Sequence, residues 1–585
     1  MRLRAELVPA ALAAGLSTVV SLLVLRPWRA GLDVPYSYLG DANLNHMFIK
    51  DVLEHGWYWR NAELGAPAGQ QLFDYPVLNG DPLNVLLVNL FGLFTSDAAA
   101  VMNLLFLVTF PLVAVSACLV LRTLGLSRPA AVVFSSLYAL LPYHFVRGET
   151  HIWLSAYYAV PLGAYLVLAI LGDRPLIAKR PRPGGGRVRS YASGLTLTTL
   201  ALCLVISWAS GSFYYSAFTV VLVVVAALLR SLVRRSAAPL LQAGAVVSAI
   251  VAFSVLALAP SLAYWARHGT NGQVAHRQPR EAELYGLKPA QLVLPMGQHR
   301  VGLLARKRQS YDRWSDPTEA TTNTALGAVG AAGLLWLLAV CFLQLAGPGS
   351  RSIGPLHVSA GLASLVALIL AWTGGPATLI GFVEPQIRAW NRLSIFIGFF
   401  ALLAVGLLVD RLRSRRVLWG AVLVAVLVLG SLDQTSPAFA LQRSAADEWR
   451  SDAAFVRGIE QRLPAGAMVY ELPYVGFPET PSPGGMYAYD SVRGYLHSHD
   501  LRWSFGAMRG RPPDDRFAPL AAAPVSELLP IVSAVGFRGV WVDRLGYADH
   551  GVQVESELAR LAGPAELVSG NERFAFYDLL GYKAS

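Results

Sequence analysis

The sequence predicts a polytopic α-helical membrane protein with about 11 transmembrane helices and a small C-terminal α/β extracytoplasmic domain. Two observations carry that prediction. Hydrophobic residues make up 54% of the 585 residues and charged residues only 15%, against about 25% charged in an ordinary soluble chain, and mean hydropathy is +0.46. Too few charges remain to cover a soluble surface of that size, which excludes a soluble enzyme, a disordered scaffold and a fibrous repeat. The positive residues also keep a phase, clustering in alternate short connections between apolar runs as cytoplasmic loops do. Those loops account for the net charge of +11. Nothing resembles a nucleic-acid-binding module, so no nucleic-acid partner is expected. Cys118, Cys203 and Cys341 all fall inside apolar runs and read as small buried apolar residues, without disulfide or zinc spacing.

A span needs about 20 predominantly apolar residues. Eleven segments qualify: 7–25, 98–121, 129–145, 151–171, 191–209, 212–230, 238–259, 326–346, 355–373, 393–410 and 417–432. The first has the basic start (Arg2, Arg4) and Ala-rich centre of a signal peptide, but no convincing cleavage site follows, so an anchor is expected. With the N-terminus in the cytoplasm, the inside loops carry Arg122 and Arg128, then Arg174, Lys179, Arg180, Arg182, Arg187 and Arg189. Arg230, Arg234 and Arg235 follow, then Arg351, then Arg411, Arg413, Arg415 and Arg416. Losing or gaining one span would break this order. The expected location is the plasma (inner) membrane, with residues 1–432 as the membrane portion and 433–585 outside.

Within the membrane portion, loops 26–97 and 260–325 are long and fall outside. The run 84–95 is apolar but too short to span and is expected in the interface or re-entering the bilayer. The stretch 181–187 (PRPGGGR) reads as a flexible basic cytoplasmic linker. Beyond 433 the composition becomes more polar. AMVYELPYV and FRGVWVDRL alternate as strands do, and SELLPIVSAV and VESELARLA read as short amphipathic helices. The resulting unit could contact a glycan with its acids and aromatics, or serve as a structural cap.

Polar chemistry gathers in four places on the outside face. Loop 26–97 opens with YSYLGDANLNHMF, in which Asp41 lies shortly beyond the first span. A carboxylate there can serve as a general base if it comes within hydrogen-bond reach of a hydroxyl, with Asn43 and His46 to orient it or touch a phosphate. Gly-Asp is also ordinary turn chemistry. Asp74 and Asp81, each beside Pro or Gly, favour turn roles, and Trp57, Tyr58 and Trp59 mark a membrane interface. The turn PYHFVRGETH places His144, Arg147, Glu149 and His151 close to hydrocarbon, where charge is costly unless solvated or paired. Arg147 with two histidines suits a phosphate; an Arg147–Glu149 pair at the rim is the plain alternative. The segment 274–295 mixes His276, Arg277, Arg280, Glu281, Glu283, Tyr285 and Lys288, with His299 and Arg300 beyond. It fits either phosphate donors and carboxylates or a solvated amphipathic helix. Finally, IRAWNRLSIF holds Arg388, Asn391 and Arg392 at the outer mouth of the tenth span, where topology does not require positive charge.

The layout resembles the GT-C class of polytopic glycosyltransferases. It is closer still to a bacterial family of uncharacterised membrane proteins often labelled glycosyltransferase or phosphoglycerol transferase. The matching blocks are YLGDANLNHMFIKDVLEHGWY, LPYHFVRGETHIWLSAYYAVPL, AHRQPREAELYGLKPAQLVLP and IRAWNRLSIFIGFFALLAVGLLVD. The class implies a polyprenyl-phosphate-linked sugar as donor, a glycan or glycolipid acceptor in the cell envelope, and an inverting transfer with a first-loop carboxylate as base. Asp41 fits that position. Arg147, His151, Arg280 and Arg392 are then expected on the donor phosphate. His46, His144, Glu149, His276, Glu281, Tyr285 and Asn391 are expected on acceptor or sugar. Many members carry paired acids, whereas Ala42 and Asn43 follow Asp41 here, so no required metal or other cofactor is expected. The alternatives are a lipid-linked-sugar flippase, which should show charged or broken helices at mid-membrane, and a phosphoglycerol-type transferase, for whose large metal-binding domain the C-terminal segment is too short.

Overall fold

The computed structural model describes residues 2–181, 190–274, 276–315, 324–345, 353–441 and 444–582. Arg182, Arg187, Arg189 and Arg351, and the linker read at 181–187 apart from Pro181, lie outside the described residues. The flanks of that linker, Ile177–Pro181 and Ser190–Leu195, pair as an antiparallel hairpin.

Among the described residues nine helices are long and apolar enough to cross a membrane: Glu6–Arg29, Ala98–Leu124, Arg128–Arg147, Ile152–Leu171, Tyr214–Arg234, Ala238–His268, Gly327–Leu345, Trp390–Ser414 and Arg416–Gln434. The segments expected to span at 191–209 and 355–373 form the helices Leu197–Trp208, of 12 residues, and Pro355–Ala371, of 17 residues. The first is cut short by polar ties at both ends. Thr196 caps its start. Beyond its end the Ser210 N–H and hydroxyl both donate to the Gly80 carbonyl, at 3.0 and 2.8 Å. The Gly211 and Ser212 N–H groups donate to Asp81 at 3.0 and 2.6 Å. Burial pushes the Asp81 carboxyl up to about 7, against the pull of those N–H donors.

Arg128–Arg147, Ile152–Leu171 and Trp390–Ser414 form the buried centre, while Ala238–His268 and Arg416–Gln434 are mostly exposed along their apolar length, as lipid-facing helices are. Ile152–Leu171, Tyr214–Arg234 and Trp390–Ser414 all begin beside the cleft described below and run about 30 Å away from it. At the far ends of the first two, Arg230 and Arg234 pair with Asp173, and Arg122 at the end of Ala98–Leu124 pairs with Glu6 at the start of the first helix at 2.6 Å. The short helix Pro82–Gly92 leaves Leu86, Leu90, Leu93 and Phe94 exposed at and just past its end, the apolar face expected of an interfacial segment.

The C-terminal residues build a five-stranded sheet in the order Arg502–Trp503, Met468–Leu472, Phe537–Asp543, Phe574–Asp578, Leu567–Val568. The first three strands are parallel and the last two antiparallel. Strand alternation divides its side chains between two cores. Tyr470, Val540, Val542 and Ala575 pack with Leu528, Leu529, Val532 and Leu558 of the helices Val525–Val535 and Val552–Ala562. Val469, Trp503, Trp541 and Phe576 pack with Phe455, Val456 and Ile459, in a core continuous with Phe48, Tyr58, Leu64 and Leu72 of the first long loop. The two segments therefore fold against each other.

Candidate functional site

The site starts from two glycines. Gly40 (φ 58°, ψ −137°) precedes the helix Asp41–His55, and Gly148 (φ 48°, ψ −146°) ends the helix Pro142–Arg147. Side chains strongly disfavour both conformations, and each turns the chain sharply beside a polar residue. The two segments are braced together. The Asn45 amide donates to the Glu149 and Thr150 carbonyls at 2.9 and 3.0 Å and accepts from the Trp153 indole at 2.7 Å. The buried Glu149 carboxylate accepts the Ser37 N–H at 2.9 Å. Burial raises its pKa to about 8, although the N–H donors of Ser37 and Tyr36 pull the other way. This bracing sets Asp41 Oδ2 3.7 Å from His151 Nε2, with both side chains partly exposed.

Asp41 and His151 open into a cleft of about 690 Å³. Tyr75 of the first loop, Arg277 and Tyr285 of the second, and Arg388 and Arg392 at the mouth of Trp390–Ser414 line it. So do Glu479, Thr480 and Tyr489 of the C-terminal segment. The charges are arranged in pairs: Arg277 with Glu479 and Arg388 with Glu281. Arg388 lies 5.1 Å from the Tyr285 ring centre and Arg392 4.0 Å from that of Tyr214, so aromatic faces hold both guanidinium groups. The Tyr75 hydroxyl donates to Glu479 at 3.4 Å. Three guanidinium groups, two of them paired with Glu479 and Glu281, and one histidine beside the Asp41 carboxylate can bind an anion and accept a proton within the same space.

Of the residues expected at the site, the cleft brings together Asp41, His151, Tyr285 and Arg392, with Glu281 held on Arg388. The others are placed elsewhere. His46 is buried and stacks on Trp449 with ring centres 5.2 Å apart; burial, with Lys50 nearby, pulls its pKa down to about 3, so it stays neutral. His144 is fully buried, with Nε2 2.8 Å from Thr109 Oγ1, Nδ1 2.9 Å from the Ala139 carbonyl, and Phe110 stacked at 3.7 Å. Arg147 is buried over the Tyr143 ring at 5.2 Å. Glu149 braces the first loop, and Asn391 is buried with its N–H donating to the Tyr285 carbonyl at 3.0 Å. His276 and Arg280 are exposed and outside the cleft lining.

The first-loop acids read as turn residues have structural partners: Asp74 accepts from Arg511 at 2.6 and 2.7 Å and from the Trp265 indole at 2.9 Å. Tyr58, expected at a membrane interface, is instead buried in the core shared with the C-terminal segment. Sequence reasoning missed Tyr75, Tyr214, Glu479 and Tyr489. For Glu479 a signal existed. The run GFPETPSPGG is dense in Pro and Gly within an otherwise regular unit, and irregular loops on a rigid scaffold commonly carry function. Among the described residues no three His, Cys, Asp or Glu side chains converge as a metal site would require.

Fold and site together define a multi-pass helical protein with a cationic, carboxylate-bearing cleft at one end of its membrane-length helices. No family model matches the chain, and no curated protein matches it. Among solved structures it is similar to the oligosaccharyltransferase of Archaeoglobus fulgidus in the apo form, at 14% identity over 92% of this chain and 69% of that one, with a TM-score of 0.44. The same enzyme in complex with an inhibitory peptide and a dolichol-phosphate gives 14% identity, the same coverage and a TM-score of 0.45. The arabinofuranosyltransferase AftD from Mycobacteria gives 16% identity over 92% of this chain and 36% of that one, with a TM-score of 0.39. At these TM-scores none of the likenesses assigns a role to a residue of this chain.

Proposed function

We propose that the protein is an integral-membrane glycosyltransferase that moves a sugar from a polyprenyl-phosphate donor to a hydroxyl of a cell-envelope glycan or glycolipid, with inversion at the anomeric carbon. The observation that carries this reading is the cleft itself. One carboxylate, Asp41, stands beside His151 and shares a cavity with Arg277, Arg388 and Arg392 at the ends of membrane-length helices. A lipid-borne anion reaching that cavity from the bilayer meets guanidinium groups first. They stabilise the negative charge that develops on the phosphate as the bond to the anomeric carbon breaks. Asp41 takes the proton of the attacking hydroxyl, and His151 orients the carboxylate. Tyr285 and Tyr489 offer faces and hydroxyls to sugar rings.

In this reading the chain crosses the membrane eleven times, counting Leu197–Trp208 and Pro355–Ala371 as short spans. The N-terminus is cytoplasmic, and the cleft and the C-terminal α/β domain are extracytoplasmic on the plasma membrane. The arginines supply the charge that a divalent ion would otherwise supply, so turnover is expected to survive chelation.

The test is a transfer assay with purified protein in lipid, a panel of radiolabelled polyprenyl-phosphate sugars and total membrane acceptors. Wild type should consume one donor, and Asp41→Asn should lose at least about a hundredfold in rate. If no donor is consumed, or if Asp41→Asn turns over like wild type, the reading fails.

A further inference from the structure

A second recess lies apart from the cleft and shares none of its lining residues. It is a groove of about 410 Å³ between the first membrane helix and the last. Leu16, Val20 and Leu23 form one wall and Leu427, Val428 and Leu432 the other. At its cleft-side end stand two arginines, Arg26 and Arg300, and no acidic residue lines it.

The two cations differ. Arg300 is spent on the end of the last helix, donating to the Leu432 carbonyl at 2.6 Å and to the Thr435 carbonyl and hydroxyl at 3.1 and 2.9 Å. There it balances the partial negative charge of a helix C-terminus. Arg26 makes no side-chain hydrogen bond or ion pair with any described residue. Its backbone is left-handed (φ 54°, ψ 53°), a conformation that side chains other than Gly, Asn and Asp rarely take, just where the first helix ends.

A cation without a counter-charge among the described residues, at the mouth of an apolar slot between two lipid-facing helices, calls for a ligand that is apolar along its length and anionic at one end. We propose that the groove binds a membrane phospholipid with an anionic headgroup, one acyl chain lying between the two helices and the phosphate on Arg26. A polyprenyl donor fits less well, because its chain is far longer than the slot and its reactive end would sit away from Asp41. Basic pockets between membrane helices on the cytoplasmic or matrix side bind anionic headgroups by this combination of charge and apolar contact, and the same chemistry serves a groove at either face. The site does not depend on the transferase reading.

The experiment is native mass spectrometry of the full chain in detergent with equal amounts of phosphatidylglycerol and phosphatidylcholine of matched acyl chains. Wild type should retain phosphatidylglycerol preferentially. Arg26→Gln should cut that preference about fivefold, Arg26→Lys should keep it, and Arg29→Gln, an exposed neighbour outside the groove, should not change it. Val428→Trp, which fills the slot, should lower retention of both lipids. Equal retention of the two lipids by wild type, an unchanged preference in Arg26→Gln, or an equal loss in Arg29→Gln would overturn the proposal.

Discussion

At Glu149 burial and hydrogen bonding pull in opposite directions, and burial wins: the folded carboxyl titrates at about 8, far above the ordinary range near 4.3. The sign of the consequence is fixed. Between those two values the folded chain holds a proton that the unfolded chain has released, so Glu149 lowers stability as pH rises through that window. Below the window its contribution is fully present, and above about 8 the loss is complete. Glu149→Gln keeps an oxygen to accept the Ser37 N–H and removes the titration. The variant should match wild type in thermal melting near pH 4 and melt higher at pH 8. A constant difference across that range would show that the carboxyl does not titrate there. Buried and bonded to the Ser37 N–H, Glu149 braces the loop that carries Asp41, where the sequence placed it on acceptor or sugar.

At the scale of the element, the geometry of the Asp41–His151 pair depends on how two helices begin and end. A Cβ at Gly40 would meet nothing within 4 Å, so the cost of Gly40→Ala is purely conformational, about 1–3 kcal/mol for a residue held in that region. The chain can relieve it only by rotating the turn, which carries Asp41 away from His151. Gly40→Ala should therefore melt only slightly below wild type yet lose most transfer activity, whereas Gly56→Ala, at the far end of the same helix (φ 76°), should leave the rate nearly intact. Equal effects of the two on the rate would separate the turn from the site.

The same elements mark what the sequence allowed to be read. Long apolar runs were legible because hydrophobic length is a local property. Arg392 was legible because a charge at the end of a span is costly enough to stand out, and Asp41 because an early carboxylate in the first long loop is where the resemblance places a base. The pairing of Arg277 with Glu479 was not, since the partners are about two hundred positions apart and nothing local records the contact. His144 and Arg147 misled for a related reason. A polar residue near the end of an apolar run looks alike in sequence whether it faces a cleft or packs inward on Phe110 or Tyr143. The helices Leu197–Trp208 and Pro355–Ala371 show the limit of composition, because turns tied to distant groups such as Asp81 decide where an apolar run stops being helical.

Across the whole molecule, the first loop and the C-terminal sheet unit are one folded body, and Arg493 is where they lock. Its guanidinium is buried. It donates to the Tyr38 carbonyl at 3.0 Å, to Asp490 at 3.1 Å, to Asp452 at 3.1 Å and to Glu448 at 2.6 Å, and lies 4.1 Å from the Tyr38 ring centre. Arg573 shares two of these acids, meeting Asp490 at 2.8 Å and Glu448 at 3.2 Å, and pairs with Asp543 at 2.6 Å. Tyr38 lies three residues before Asp41, and Asp490 follows Tyr489 of the cleft. One side chain thus sets the backbone on both sides of the site. Replacing Arg493 by Met would leave buried carboxylates short of a counter-charge, and breaking such a pair costs about 3–5 kcal/mol. Hydrogen exchange should then rise in residues 36–60 and 486–500 together, while the membrane helices Ile152–Leu171 and Trp390–Ser414 keep their protection, and transfer should fall with the loss of order. Arg493→Lys, which retains the charge but not the fork that serves four acceptors, should fall between the two. If exchange rises in 486–500 alone, the two segments are stable separately and the site does not depend on their union.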